Sequence, residues 1–112
     1  MAVTSSLKHV AGKIGGAIRG FAAGEHLDQD EIAIAGLFDE RTGVIYLVVG
    51  SFRPIDERRW HAAIRSAIRK QFEDAPGLSS RLVLVVKNVN QVEQIDRELV
   101  IGDDDTDISE ML

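Results

Sequence analysis

Three short apolar runs stand out along the chain, with one long stretch of helical periodicity between the second and third. The runs are Ile32-Ala33-Ile34-Ala35-Gly36-Leu37-Phe38, Val44-Ile45-Tyr46-Leu47-Val48-Val49 and Leu82-Val83-Leu84-Val85-Val86. Dense apolar runs of this length, bounded by polar residues, predict strands. Asp39-Glu40-Arg41-Thr42-Gly43 joins the first two, and a five-residue link ending in Gly predicts a hairpin. Ala33, Ala35 and Gly36 leave room for a helix to approach the first strand. The second strand is apolar at nearly every position, which predicts cover on both faces. Trp60, Ala63, Ile64, Ala67, Ile68 and Phe72 share one helical face, predicting a helix over residues 55–73. Pro54 suits its first turn. Asp56 and Glu57 favour its positive N-terminal end, and Ala75-Pro76-Gly77 stops it.

A further helix is predicted over residues 4–23, with Thr4, Ser5 or Ser6 as cap. Leu7, Val10, Ala11, Ile14, Ala17, Ile18 and Phe21 line one face and can cover the sheet. Gly12, Gly16, Gly20 and Gly24 line the opposite face. Each helical glycine costs about 1 kcal/mol relative to alanine, so the line invites a use. One reading is close approach by a partner helix through Gly12, Gly16 and Gly20. Another is that Gly15-Gly16 interrupts the helix. A third, a basic helix lying on a membrane surface, rests on three cations and one Phe and is disfavoured.

After the third run, Val89, Val92, Ile95 and Leu99 recur at helical spacing in a polar setting, as a short helix or irregular cover would require. Gly102 opens an acidic end. The expected organisation is one small domain over residues 1–101 and a flexible acidic tail over 102–112. Asp103, Asp105 and Asp107 alternate like the start of a calcium loop, but Ile108 stands where such a loop needs Gly. The tail reads either as a solvated appendage or as a docking peptide with Ile108, Met111 and Leu112 as anchors.

Composition adds exclusions. With 112 residues the chain makes one domain. It has no cysteine, so disulfides, thiolate metal sites and a cysteine nucleophile are excluded. No run approaches the length of a membrane span and no secretory leader is evident, so a cytoplasmic location is expected. The net charge of −5 is uneven: residues 1–24 carry +3 and the remainder −8. An acidic body argues against nucleic-acid binding, which needs clustered Lys and Arg.

Candidate chemistry is sparse. His9, His26 and His61 stand at no metal-ligand spacing. Glu57 and His61 are four apart on a helix, the spacing of a surface pair. Arg58, Arg65 and Arg69 run nearly in line on the polar face of the 55–73 helix. Such a stripe can grip phosphate, although Glu57 and Glu73 partly neutralise it and a solvated face explains it equally. No phosphate-binding loop, dinucleotide fingerprint or nucleophile elbow occurs. No catalytic residue, metal set or cofactor is assigned.

Glu31 to Gly43 resembles the hairpin in the small C-terminal subdomain of adenylate-forming enzymes, which include acyl-CoA synthetases and fatty acyl-AMP ligases. Ala62-Ala63-Ile64-Arg65-Ser66-Ala67-Ile68-Arg69 and Leu82-Val83-Leu84-Val85 look most like the fatty acyl-AMP ligase branch. Val10-Ala11-Gly12-Lys13-Ile14 is similar to the lead-in after that family's hinge. The resemblance spans residues 31–99 and implies a strand–turn–strand–helix–strand order. It departs at Gln94, which occupies the position of the family's adenylating lysine and cannot stabilise developing phosphate charge. The family's large nucleotide-binding domain is absent. The resemblance therefore implies a non-catalytic accessory or protein-interaction module. The alternatives are a small subunit of a split acyl ligase, with Lys87 or Lys13 replacing the lysine, and a homo-oligomeric scaffold built on the glycine-lined helix. The expected partner is another protein or a second copy.

Overall fold

The computed structural model describes the backbone of residues 2–71, 81–90 and 105–112. Its elements are α1 (Ala2–Gly24), β1 (Ile32–Asp39), β2 (Val44–Ser51), α2 (Glu57–Gln71), β3 (Leu82–Asn88) and β4 (Asp105–Asp107), with single 3-10 turns at Gln29–Glu31 and Ser109–Met111. The α+β class expected from the pattern holds. The sheet has four strands rather than three, in the order β3-β2-β1-β4. β1 and β2 form the antiparallel hairpin, pairing Ile32 with Ser51 through Asp39 with Val44. β3 runs parallel to β2, a pairing that needs a crossover, which α2 provides.

The hairpin turn is held by Asp39. Its Oδ1 accepts the amides of Arg41 at 2.9 Å and Thr42 at 3.4 Å, and its carbonyl accepts the Gly43 amide at 2.8 Å. Gly43 has φ +75°, a left-handed conformation that glycine adopts without steric cost. Partial desolvation raises the Asp39 carboxyl, but the Arg41 amide, the Thr42 side chain and amide, and the Arg41 charge together hold it below its ordinary value.

α1 is unbroken through Gly15-Gly16, so the interruption considered for that pair does not occur. The helix ends at a left-handed residue, His26 (φ 65°). The Leu27 amide reaches back to the Ala22 carbonyl and the His26 amide to Ala23, both at 3.0 Å, the paired bonds of a Schellman cap. α2 begins at Glu57, and Pro54 precedes it rather than sitting in its first turn. Asp56 caps it instead, its carboxylate accepting the Arg59 amide at 3.2 Å. Phe72 and the stop at residues 75–77 lie outside the described residues, as do the cover expected over residues 91–99 and Gln94.

Both helices pack on one face of the sheet. Ala11, Ile14, Ile18 and Ala22 of α1 and Trp60, Ile64 and Ile68 of α2 share a core with Ile45, Leu47, Val49, Leu82, Leu84 and Val86. Phe21 and Trp60 meet edge to face, ring centroids 4.8 Å apart, a preferred geometry for aromatic pairs. On the other face Ala35, Val48 and Val89 form a smaller buried cluster. Tyr46 and Val83 are register partners there and remain exposed at 37% and 43%.

Candidate docking site at the edge of the sheet

The site begins with an unusual vacancy in side-chain volume. On β1, the residues facing the helices are Ile32, Ile34, Gly36 and Phe38, since they pair with Ser51, Val49, Leu47 and Ile45. Gly36 interrupts that apolar row. On α1, Gly15 falls in the seam of Ala11, Ile18 and Ala22 and is buried with them. Two missing side chains thus lie on facing elements. The sequence expectation was that Ala33, Ala35 and Gly36 make room for a helix. The pleat sends Ala33 and Ala35 to the opposite face, where they pair with Gly50 and Val48. The space at Gly36 is filled by the C-terminal segment.

That segment, Asp105–Leu112, extends the sheet and then turns inward. Asp105, Thr106 and Asp107 pair antiparallel with Asp39, Phe38 and Leu37. The Ile108 amide donates to the Gly36 carbonyl at 3.0 Å, and the Gly36 amide donates to Ser109 Oγ at 3.0 Å. A turn follows, closed by the Met111 amide on the Ile108 carbonyl at 2.9 Å. It carries Ile108 (0% exposed) and Leu112 (8%) into the main core. Arg19 Nη2 donates to the Leu112 oxygen at 2.9 Å. At the strand end, Thr106 Oγ1 donates to Glu40 Oε1 at 3.1 Å.

The fit is close at both glycines and closest at Gly15. A Cβ on Gly15 would stand 2.3 Å from the Leu112 carbonyl carbon, a backbone atom that cannot rotate away. A Cβ on Gly36 would stand 3.0 Å from Leu112 Cδ1 and Leu47 Cδ2 and 3.1 Å from Ile108 Cγ1. The segment is held by backbone pairing, by the room that Gly36 leaves for the Ile108 and Leu112 side chains and Gly15 for the Leu112 backbone, and by Arg19 at its end. This is strand addition, a common mode of peptide recognition.

Within the expected flexible tail, residues 105–107 pair with β1, and Ile108 and Leu112 are buried. The charges and the apolar residues of the segment separate onto different sides. Asp107 stays exposed while Ile108 and Leu112 point inward. The proposed anchors Ile108, Met111 and Leu112 thus meet their own domain. Ile108 and Leu112 are buried, and Met111 packs at the core margin. Gly16 and Gly20 face open space, and a Cβ on Gly12 would meet the Met111 carbonyl at 3.9 Å, so among the described residues no helix covers that line.

The arginine stripe lies on α2. Arg65 Nη2 donates to the Leu82 carbonyl at 3.3 Å, while Arg58 and Arg69 are exposed. Glu57 and His61 do not pair as expected. Glu57 accepts the Asn88 amide at 2.8 Å, and His61 Nε2 donates to the Leu84 carbonyl at 3.0 Å. Lys13 is on α1 and Lys87 on the sheet face away from both helices. Among the described residues no three His, Asp or Glu gather as a metal site, and no helix is long and apolar enough to cross a membrane.

Sequence reasoning missed Arg19 and Ser109 and gave Gly15 and Gly36 other roles. A signal existed: Gly36 breaks an apolar row on its core-facing side, and Gly15 lies off the four-residue glycine line, on the buried seam. No family model, curated protein or solved structure matches the chain.

Proposed function

We propose that this chain is a non-catalytic protein-interaction module whose working surface is the β1 edge with the adjoining flank of α1. The observation that carries this reading is the seating of Asp105–Leu112, with main-chain pairing on one side and two sockets made possible by Gly15 and Gly36 on the other. The groove selects a short extended segment with apolar residues four apart, not a small molecule. The element order from Ile32 to Asn88 supports a shape like the C-terminal subdomain of adenylate-forming enzymes, without supplying their chemistry. A chain lacking cysteine suits a reducing compartment such as the cytoplasm.

The test uses the full chain carrying Ile108→Asp and Leu112→Asp, which empties the groove. Displayed random peptides selected on it should enrich for Ile or Val followed four residues later by Leu or Met. Selection on a chain that also carries Gly15→Val should lose that enrichment. Equal enrichment on both would reject the groove as the binding surface. ATP–pyrophosphate exchange by the purified wild-type chain should stay at background, and clear exchange would reject the non-catalytic reading.

A further inference from the structure

We propose that the outer surface of the helix layer, centred on Arg58 and Arg69 of α2, is a second docking surface and takes a short acidic segment of another protein. α2 packs against β3, on the far side of the sheet from β4, so this surface is independent of the β1 edge.

Charge is segregated between the layers of the fold. α1 and α2 together hold eight Lys and Arg and one acid, Glu57, a net +7. The whole chain carries −5, so everything outside the two helices carries −12. A surface that needs only solvation mixes both signs. The one helical acid is engaged, since Glu57 accepts the Asn88 amide. Several cations are committed to the fold. Arg19 and Arg65 donate to main-chain oxygens, and Arg53 and Arg59 pair with Glu31 and Glu25. Lys13, Arg58, Arg69 and Lys70 differ from these. All four are exposed, and among the described residues none of them bonds or pairs with another group.

The geometry selects the kind of anion. Arg58 and Arg69 are three helical turns apart, so they stand in one line, roughly 16 Å from end to end. Ala62 and Ser66 occupy the interval, and both are exposed. Two long cationic side chains thus bracket a low stretch of helix surface. A guanidinium at each end suits two carboxylates of one segment better than a single compact anion, which would meet only one end. A bilayer fits poorly: the large apolar side chains exposed among the described residues are Tyr46, Phe52 and Val83, none of them on a helix, and a membrane-surface helix needs an apolar face to bury. A long polyanion fits poorly too. It would run past the layer towards the −12 remainder of a molecule only 21 Å across its shortest dimension, whereas a short segment stays within the positive field.

The full chain is tested with soluble poly-L-glutamate as probe. Wild type should bind it at low salt, and binding should weaken as salt rises, because exposed charges are screened. Arg58→Glu, Arg69→Glu and Lys70→Glu combined should lower the affinity by ~10-fold or more. Arg81→Glu reverses an exposed cation outside the helices and should change it less than about two-fold. Gly15→Val, which disturbs the β1 edge, should leave this binding unchanged, so loss of one surface is distinguishable from loss of the other. Circular dichroism checks that each variant is folded. If the triple variant is not, Arg58→Gln with Arg69→Gln replaces it, with the same order of effects expected. Absence of binding at low salt overturns the inference, as does an equal loss with Arg81→Glu. Tighter binding to a DNA duplex or to phosphatidylserine vesicles than to poly-glutamate, at matched charge, overturns it as well, since the layer would then serve a different class of partner.

Discussion

The two edges of the sheet are closed by different means. At the β3 edge, side chains of α2 do the work: His61 bonds the Leu84 carbonyl and Arg65 the Leu82 carbonyl. The match is geometric, because four residues of helix rise about 6 Å and two residues of strand about 6.6 Å. At the β1 edge the cover is main chain, a three-residue strand with a turn behind it. Sheet edges left open invite pairing with other chains. The β3 device belongs to a helix already anchored in the core by Trp60, Ile64 and Ile68, so it is integral to the domain. The β1 device is the segment Asp105–Leu112, which adds Ile108 and Leu112 to the same core. One edge is thus met by side chains of a helix and the other by a strand of the same chain.

Each of these contrasts can be broken by substitution. The largest effect is expected at the occupant. Ile108→Ala should cost about 2–5 kcal/mol in urea unfolding, as buried Ile and Leu truncations do. It should also speed hydrogen exchange at the Ile108 amide while the amides of β2 stay protected. Simultaneous loss of protection at both would show that the segment is integral after all. Next comes the groove wall: Gly15→Ala should destabilise by about 1–3 kcal/mol, the range for overpacking, because its methyl meets Leu112 backbone. At the sealed edge, His61→Ala should cost about 1 kcal/mol, the net worth of one hydrogen bond, with no change at Ile108.

A smaller effect of opposite sign is expected one residue from Gly15. Gly16 faces open space, so Gly16→Ala should raise stability by about 0.5–1 kcal/mol with the mass in solution unchanged. A lower melting temperature or a loss of mass would instead reveal a helix partner on the outer glycine line. The smallest effect belongs to the hairpin corner beside β4. The Asp39 carboxyl lies below its ordinary value of 3.8 when folded. Its contribution is therefore present above that value and fades as pH falls through the lower folded value. Asp39→Asn should flatten the acid limb of a stability-versus-pH curve, and an unchanged limb would show that other carboxyls govern it.

Much of this was determined by the sequence alone. The hairpin was legible because Gly43 and Asp39 supply the turn chemistry between two dense apolar runs, and α1 and α2 because their apolar residues recur at helical period. The core residues Ile14, Ile18, Trp60, Ile64 and Ile68 followed from the same periodicity. These signals are local: each is written within about twenty residues and needs no knowledge of what lies across the fold. Only the tertiary structure decided what became of Asp105–Leu112, which looks solvated by composition. Its seating depends on Gly36 and Arg19, separated from their partners Ser109 and Leu112 by 73 and 93 positions. Nothing in the run of acids announces two facing glycines elsewhere. Separations of 23 and 31 positions hid the roles of His61 and Glu57, which look like a helical pair and instead each bind β3. Periodicity sets which face of an element is apolar, but a groove exists only once two elements have packed and left a gap between them.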